Sequence, residues 1–191
     1  MRHALQPGEG LIMNNIRYAP GWKKNDTALE AAAAALWHEY GALPHGVTPE
    51  ARAKEICCAA FDGDRMIGVS TIDIRPYPPL RNKRFGFLRV FTRPDYEQQD
   101  VAIGLASRCR DLLEEWSIAH PQAGLAGMAA IYQSPKLGHY PIGESGLTLI
   151  GYTPEGFQVR VVWFNHLPLT EGYPVRLHAE NEQSKTGKKA V

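Results

Sequence analysis

A chain of 191 residues fits one domain of ordinary size, or one domain with tails. With 44% hydrophobic and 21% charged residues it can build a proper core, which excludes a disordered profile. A formal net charge of +1 excludes a global field of the kind that draws a protein to nucleic acid or an anionic membrane, while leaving room for a local patch. No apolar run approaches the roughly 18 residues that a bilayer crossing needs. The segment Met1 to Gly8 lacks the apolar stretch of a signal peptide, so a cytoplasmic protein without membrane attachment is expected.

In chain order, Gly10 to Tyr18 suit a first strand, closed by Ala19-Pro20-Gly21. A helix is predicted from Asn25 or Asp26, with Thr27 and Glu30 spaced as a capping box and an alanine-rich run carrying it to Tyr40. Gly41 ends it. A short second helix starts at Thr48, with Pro49 in the first-turn position where a missing N–H costs nothing. Three strands follow: Ile56 to Phe61, then Arg65 to Ile74 beyond the Asp62-Gly63-Asp64 turn, then Arg84 to Thr92. Pro76, Pro78 and Pro79 force a loop between the last two.

Pro94-Asp95 reads as the start of the longest helix, in which Val101, Leu105, Cys109, Leu112 and Trp116 recur on one buried face. Gly127 to Tyr132 is a further strand. Ser134 to Gly146 is irregular, with room for a short helix. Leu147 to Tyr152 and Phe157 to Phe164 form a closing hairpin. Residues 1–175 are taken as one domain and the lysine-rich residues 176–191 as a flexible polar tail.

Cys57, Cys58 and Cys109 make an odd count with two adjacent, a poor disulfide framework, and are read as small core residues. The seven histidines include no pair at metal-ligand spacing, so no metal is expected. Neither a Gly-x-Ser-x-Gly elbow nor a P-loop is present, which leaves hydrolase and NTPase readings unsupported.

The segment Val90-Phe91-Thr92-Arg93-Pro94-Asp95-Tyr96-Glu97-Gln98-Gln99-Asp100-Val101-Ala102-Ile103-Gly104-Leu105 joins a strand end to a Pro-x-Tyr turn and the opening of the long helix. It resembles the coenzyme A pyrophosphate-binding segment of the GCN5-related N-acetyltransferase (GNAT) family, and so does the order of elements over roughly residues 10 to 165. The physics of such a segment is anion capture by loop amides and a helix N-terminus. Aligned without a gap, Pro94 and Tyr96 match, while Glu97 and Asp100 stand where the family has an arginine and its first glycine. A shift of two residues gives Gln99-x-x-Ala102-x-Gly104 instead. The ungapped alignment is favoured, because it keeps Val101 and Leu105 on the apolar face.

The resemblance implies an α/β (α+β) fold, with a mixed, mostly antiparallel central sheet flanked by helices on both faces. It implies an N-acyltransferase that moves an acetyl or related group from acetyl-CoA, or another acyl-CoA, to a small-molecule or peptide amine. Val90, Thr92, Gln98, Gln99, Val101 and Ala102 are the cofactor-binding residues carried over. The thioester is expected between the strands ending near Thr92 and Tyr132. Tyr140 is the best match to the family's acid, and Glu39, or Glu144, is a candidate base. Two further readings stay open: a catalytically silent GNAT-like binding protein, which Glu97 and Asp100 favour, and a nucleic-acid-directed member.

Two features stand on the residues alone. Arg89 shares a strand face with Phe85, Phe87 and Phe91 and therefore needs a partner. Pairing around a loop centred near Arg81 puts Asp73 opposite it, as a structural ion pair or as a charge at the acceptor site. The stretch from Arg75 to Arg93 holds Arg75, Arg81, Lys83, Arg84, Arg89 and Arg93 with no acidic residue. It reads either as a solvated loop or as a patch for a polyanion such as nucleic acid.

Overall fold

A computed structural model describes residues 16–97, 100–134 and 137–167. The expected strand start at Gly10 and the polar tail lie outside the described residues. Alternation, turn residues and caps set the order β1 (Ile16–Pro20), α1 (Thr27–Tyr40), α2 (Pro49–Ala53), β2 (Ile56–Asp62), β3 (Arg65–Tyr77), β4 (Lys83–Thr92), α3 (Val101–Ala119), β5 (Leu125–Tyr132), β6 (Thr148–Tyr152) and β7 (Gln158–Trp163). The strands form one sheet in the order β1-β2-β3-β4-β5-β7-β6. Every neighbouring pair is antiparallel except β4 with β5, which α3 joins as a crossover.

The caps refine the predicted boundaries. Asp26, not Thr27, caps α1: its carboxylate accepts from the Ala28 and Leu29 N–H groups at 3.1 and 3.0 Å. Gly41 closes the helix in the left-handed conformation, as expected. Thr48 caps α2 by accepting from the Ala51 N–H at 3.2 Å. The long helix starts later than predicted. Pro94–Tyr96 form a single 3-10 turn, and α3 begins at Val101 after Asp100 takes φ +55°. No helix forms among the described residues of Ser134 to Gly146.

Helices cover both faces. On one, α3 buries Val101, Leu105, Cys109 and Leu113 against Ile67, Ile72, Leu88 and Met128. On the other, Leu29, Ala33, Leu36 and Trp37 of α1 pack on Ile56, Ala59, Met66 and Val69. Burying such side chains supplies about 1.5–3 kcal/mol each, and that sets the rigidity of the frame around the site. Cys57, Cys58 and Cys109 are buried in the α3 layer. Among the described residues, no helix is long and apolar enough to cross a membrane.

Candidate functional site

The parallel junction opens the site. β4 and β5 pair from Arg84↔Leu125 to Leu88↔Ala130 and no further. Yet β4 runs on to Thr92 and β5 to Tyr132, so the strands part and leave a gap within the sheet. A cavity of about 550 Å³ occupies it. Ala102, Ile103 and Ala106 of α3 wall it on one face of the sheet, and Trp37, Leu43 and Phe91 wall it on the other. The space therefore passes through the sheet.

Of the residues carried over from the resemblance, Val90 and Ala102 line the cavity. Val101 is fully buried beneath it. Thr92 has a buried hydroxyl with no hydrogen-bond partner among the described residues. Gln98 and Gln99 lie outside the described residues. The first intrahelical bond of α3 runs from the Gly104 N–H to the Asp100 carbonyl at 2.9 Å. The N–H groups of Val101, Ala102 and Ile103 consequently have no intrahelical acceptor, and the Asp100 side chain does not cap them.

Asp100 holds the left-handed conformation at the position aligned with the family's glycine. Gly104, the glycine of the shifted alignment, faces Tyr18 instead: a Cβ there would lie 2.0 Å from the Tyr18 hydroxyl oxygen. It is a packing glycine.

Gln133, Ser134, Leu137, Ser145 and Leu147 form one wall, and the loop from Leu137 to Leu147 is held by an arginine that sequence reasoning missed. Arg160, in β7, is 1% exposed. Its Nη2 donates to the carbonyls of Tyr140 and Gly138 at 2.6 and 3.0 Å. Its Nη1 donates to those of Leu147 and Pro141 at 3.3 and 3.4 Å. Its Nε donates to the Gln158 Oε1 at 2.8 Å. The guanidinium also lies over the Tyr132 ring at 5.0 Å. The available signal was a lone arginine in Gln158-Val159-Arg160-Val161-Val162, otherwise apolar strand sequence. Arg110 of α3 adds a bond to the Ser145 carbonyl at 3.2 Å.

Two tyrosines stand differently to the cavity. Tyr140 is 76% exposed and contributes its carbonyl to Arg160; its side chain is not among those lining the cavity. Tyr132, at the end of β5, does line it. Burial pushes the Tyr132 phenol above its ordinary value, against a smaller opposing pull from Arg160 and Ser145.

Glu39 also lies outside the lining. Its carboxylate is held by the Arg93 Nη1 and Nη2, both at 3.2 Å, and the Arg93 side chain is only 8% exposed. The pair fastens α1 to the end of β4. Arg89 does approach Asp73, at 3.8 Å, but from a diagonal position: the register sets Arg89 opposite Thr71 and Asp73 opposite Phe87. The basic stretch does not form one patch. Arg93 is buried, Arg84 donates to the Ala123 carbonyl at 2.9 Å, and Arg75 and Arg89 face the cavity.

A three-stranded antiparallel meander, a crossover helix, one parallel junction and a gap beside it define the GNAT fold, and the chain has that fold. Solved structures agree. An aminoglycoside 6'-N-acetyltransferase complexed with coenzyme A matches with a TM-score of 0.51 at 12% identity, over 80% of this chain and 99% of that one. A mutant of the toxin AtaT, bound to the C-terminus of the antitoxin AtaR and to acetyl-CoA, gives 0.53 at 14% identity, over 78% and 93%. At these identities the likeness is one of fold. Neither protein-family models nor curated proteins match the sequence.

Proposed function

We propose that this chain is an N-acyltransferase that takes an acetyl or related acyl group from coenzyme A and passes it to an amine. The parting of β4 and β5 beneath the start of α3, whose first amides the Asp100 side chain does not cap, carries this reading. The amides of Val101, Ala102 and Ile103 are suited to a pyrophosphate, with Gln98 and Gln99 carried over from the resemblance beside them. Backbone groups of β4 beyond Leu88, around Val90 and Thr92, have lost their β5 partners and are suited to the amides of a pantetheine arm.

The amine nitrogen then attacks the thioester carbonyl carbon, and the tetrahedral adduct collapses with the C–S bond pair leaving on sulfur. Tyr132 takes the acid role expected of Tyr140, since it is the tyrosine at the gap and stays protonated at neutral pH. No Asp, Glu or His is among the described residues lining the cavity, so the amine proton leaves through water rather than to Glu39.

Titration calorimetry with acetyl-CoA tests the reading, together with mass detection of acylated amines. Absence of both heat and thermal shift at millimolar ligand would defeat it. Asp100 favours a second reading, a binding protein without catalysis, because its carboxylate stands beside the site that a diphosphate would take.

A further inference from the structure

We propose that the acceptor amine also carries an anionic group, a carboxylate or a phosphate, which Arg52, Arg75 and Arg89 hold at the mouth of the gap on the α1 side. The name acceptor rests on the acyl-transfer reading; the anion site does not. All three arginines line the cavity, and no carboxylate lines it among the described residues.

Behind them stand Glu55 and Asp73. Arg52 donates from Nη1 to the Glu55 Oε2 at 2.7 Å. Arg89 lies 3.6 Å from the same oxygen and 3.8 Å from the Asp73 Oδ2, and Arg75 approaches that second oxygen at 3.8 Å. Three guanidinium groups thus share two carboxylates, and one positive charge is left over.

Hydrogen-bond capacity is left over as well. The contacts of Arg75 and Arg89 are ion pairs beyond hydrogen-bonding distance, so their forks hold no acceptor among the described residues. The Arg52 Nε is buried without a hydrogen-bond partner among the described residues. Burial, and then the charge of Arg52, depress Arg89 from its ordinary value against the opposing pull of Glu55 and Asp73. A planar two-oxygen anion matches such forks.

The placement suits a small acceptor. Arg89 directly follows Leu88, the last β4 residue paired with β5, so an anion held there brings a nearby amine to the opening. Trp37 and Phe91 supply an apolar wall beside it.

The full chain, without coenzyme A, is titrated with N-acetyl amino acids, their carboxamides and an N-acetylated aminoalkyl phosphate, following tryptophan fluorescence. Transfer from acetyl-CoA to the parent amines and to spermidine is measured in parallel. The anionic compounds are expected to bind at least about tenfold more tightly than the carboxamides. The stronger of the carboxylate and phosphate arms identifies the group. Arg89→Gln and Arg75→Gln should each erode the preference. Carboxamides or spermidine binding or reacting as well as the anionic compounds would overturn the proposal, whatever acetyl-CoA does. Failure of acetyl-CoA to bind would instead sink acyl transfer and leave the anion titration standing.

Discussion

Arg160→Met asks whether one buried cation shapes the wall of the cavity. The substitution keeps much of the aliphatic stem and removes five hydrogen bonds, four of them to loop carbonyls. At the low end of about 1.5 kcal/mol for each bond from a charged donor, that loses about 7.5 kcal/mol. Relief of a desolvated charge offsets about 4 kcal/mol. A net destabilisation of about 3.5 kcal/mol is expected, read as a lower urea midpoint with faster proteolysis between Leu137 and Leu147. Replacing both members of a buried ion pair is often neutral; here the carbonyls stay behind, and that of Leu147 is on a buried residue. A midpoint equal to or above wild type, with unchanged proteolysis, would refute the reasoning. Arg160→Lys, with three donors and no planar fork, should fall between the two.

Tyr132→Phe should lower the rate of acyl transfer about 100-fold and leave acetyl-CoA affinity nearly unchanged, by steady-state kinetics and calorimetry. Because the Tyr132 phenol is raised, its acid form persists up to and beyond the ordinary pKa near 10, so the wild-type rate should show no loss of this acid between pH 7 and about 9. Glu39→Gln should cost about 1–2 kcal/mol of stability through Arg93 while keeping kcat within about twofold, since the carboxylate serves as a brace. Asp100→Gly should raise stability by about 0.5–1 kcal/mol at its positive φ and tighten acetyl-CoA binding about fivefold, as calorimetry at low salt will measure. Native protein should react with no thiol reagent until unfolded, because all three cysteines are buried and burial pushes the Cys58 thiol up to about 12.

The meander from Ile56 to Thr92 was readable because alternation, the Gly63 turn and the proline loop all agree. Its register was read two residues out across the pair. Tyr77↔Lys83 is the last pair, and Arg81 and Asn82 both take left-handed φ values, which centres the loop on Leu80 rather than Arg81. The start of α3 was misplaced because Pro94-Asp95 reads in sequence like a helix opening, whereas it forms a single 3-10 turn and the helix begins only after the left-handed Asp100. The parting of β4 and β5 has no local signal at all: where a parallel ladder stops depends on how α3 and the loop held by Arg160 set the two strands. The strand and helix that bring Val90 and Ala102 to the cavity were therefore legible, while the positions of Tyr132 and of the Arg52, Arg75 and Arg89 cluster depend on long-range packing.

The bare length of β4 past Leu88 also bears on solubility. Unpaired strand backbone at the rim of a sheet invites another chain to add on, and proteins usually guard such rims with charge or proline. Here the unpaired segment sits in the middle of the sheet, between walls supplied by α3 and α1. The chain can leave the β5-facing side of this segment without a strand partner and still not present it as a template for aggregation.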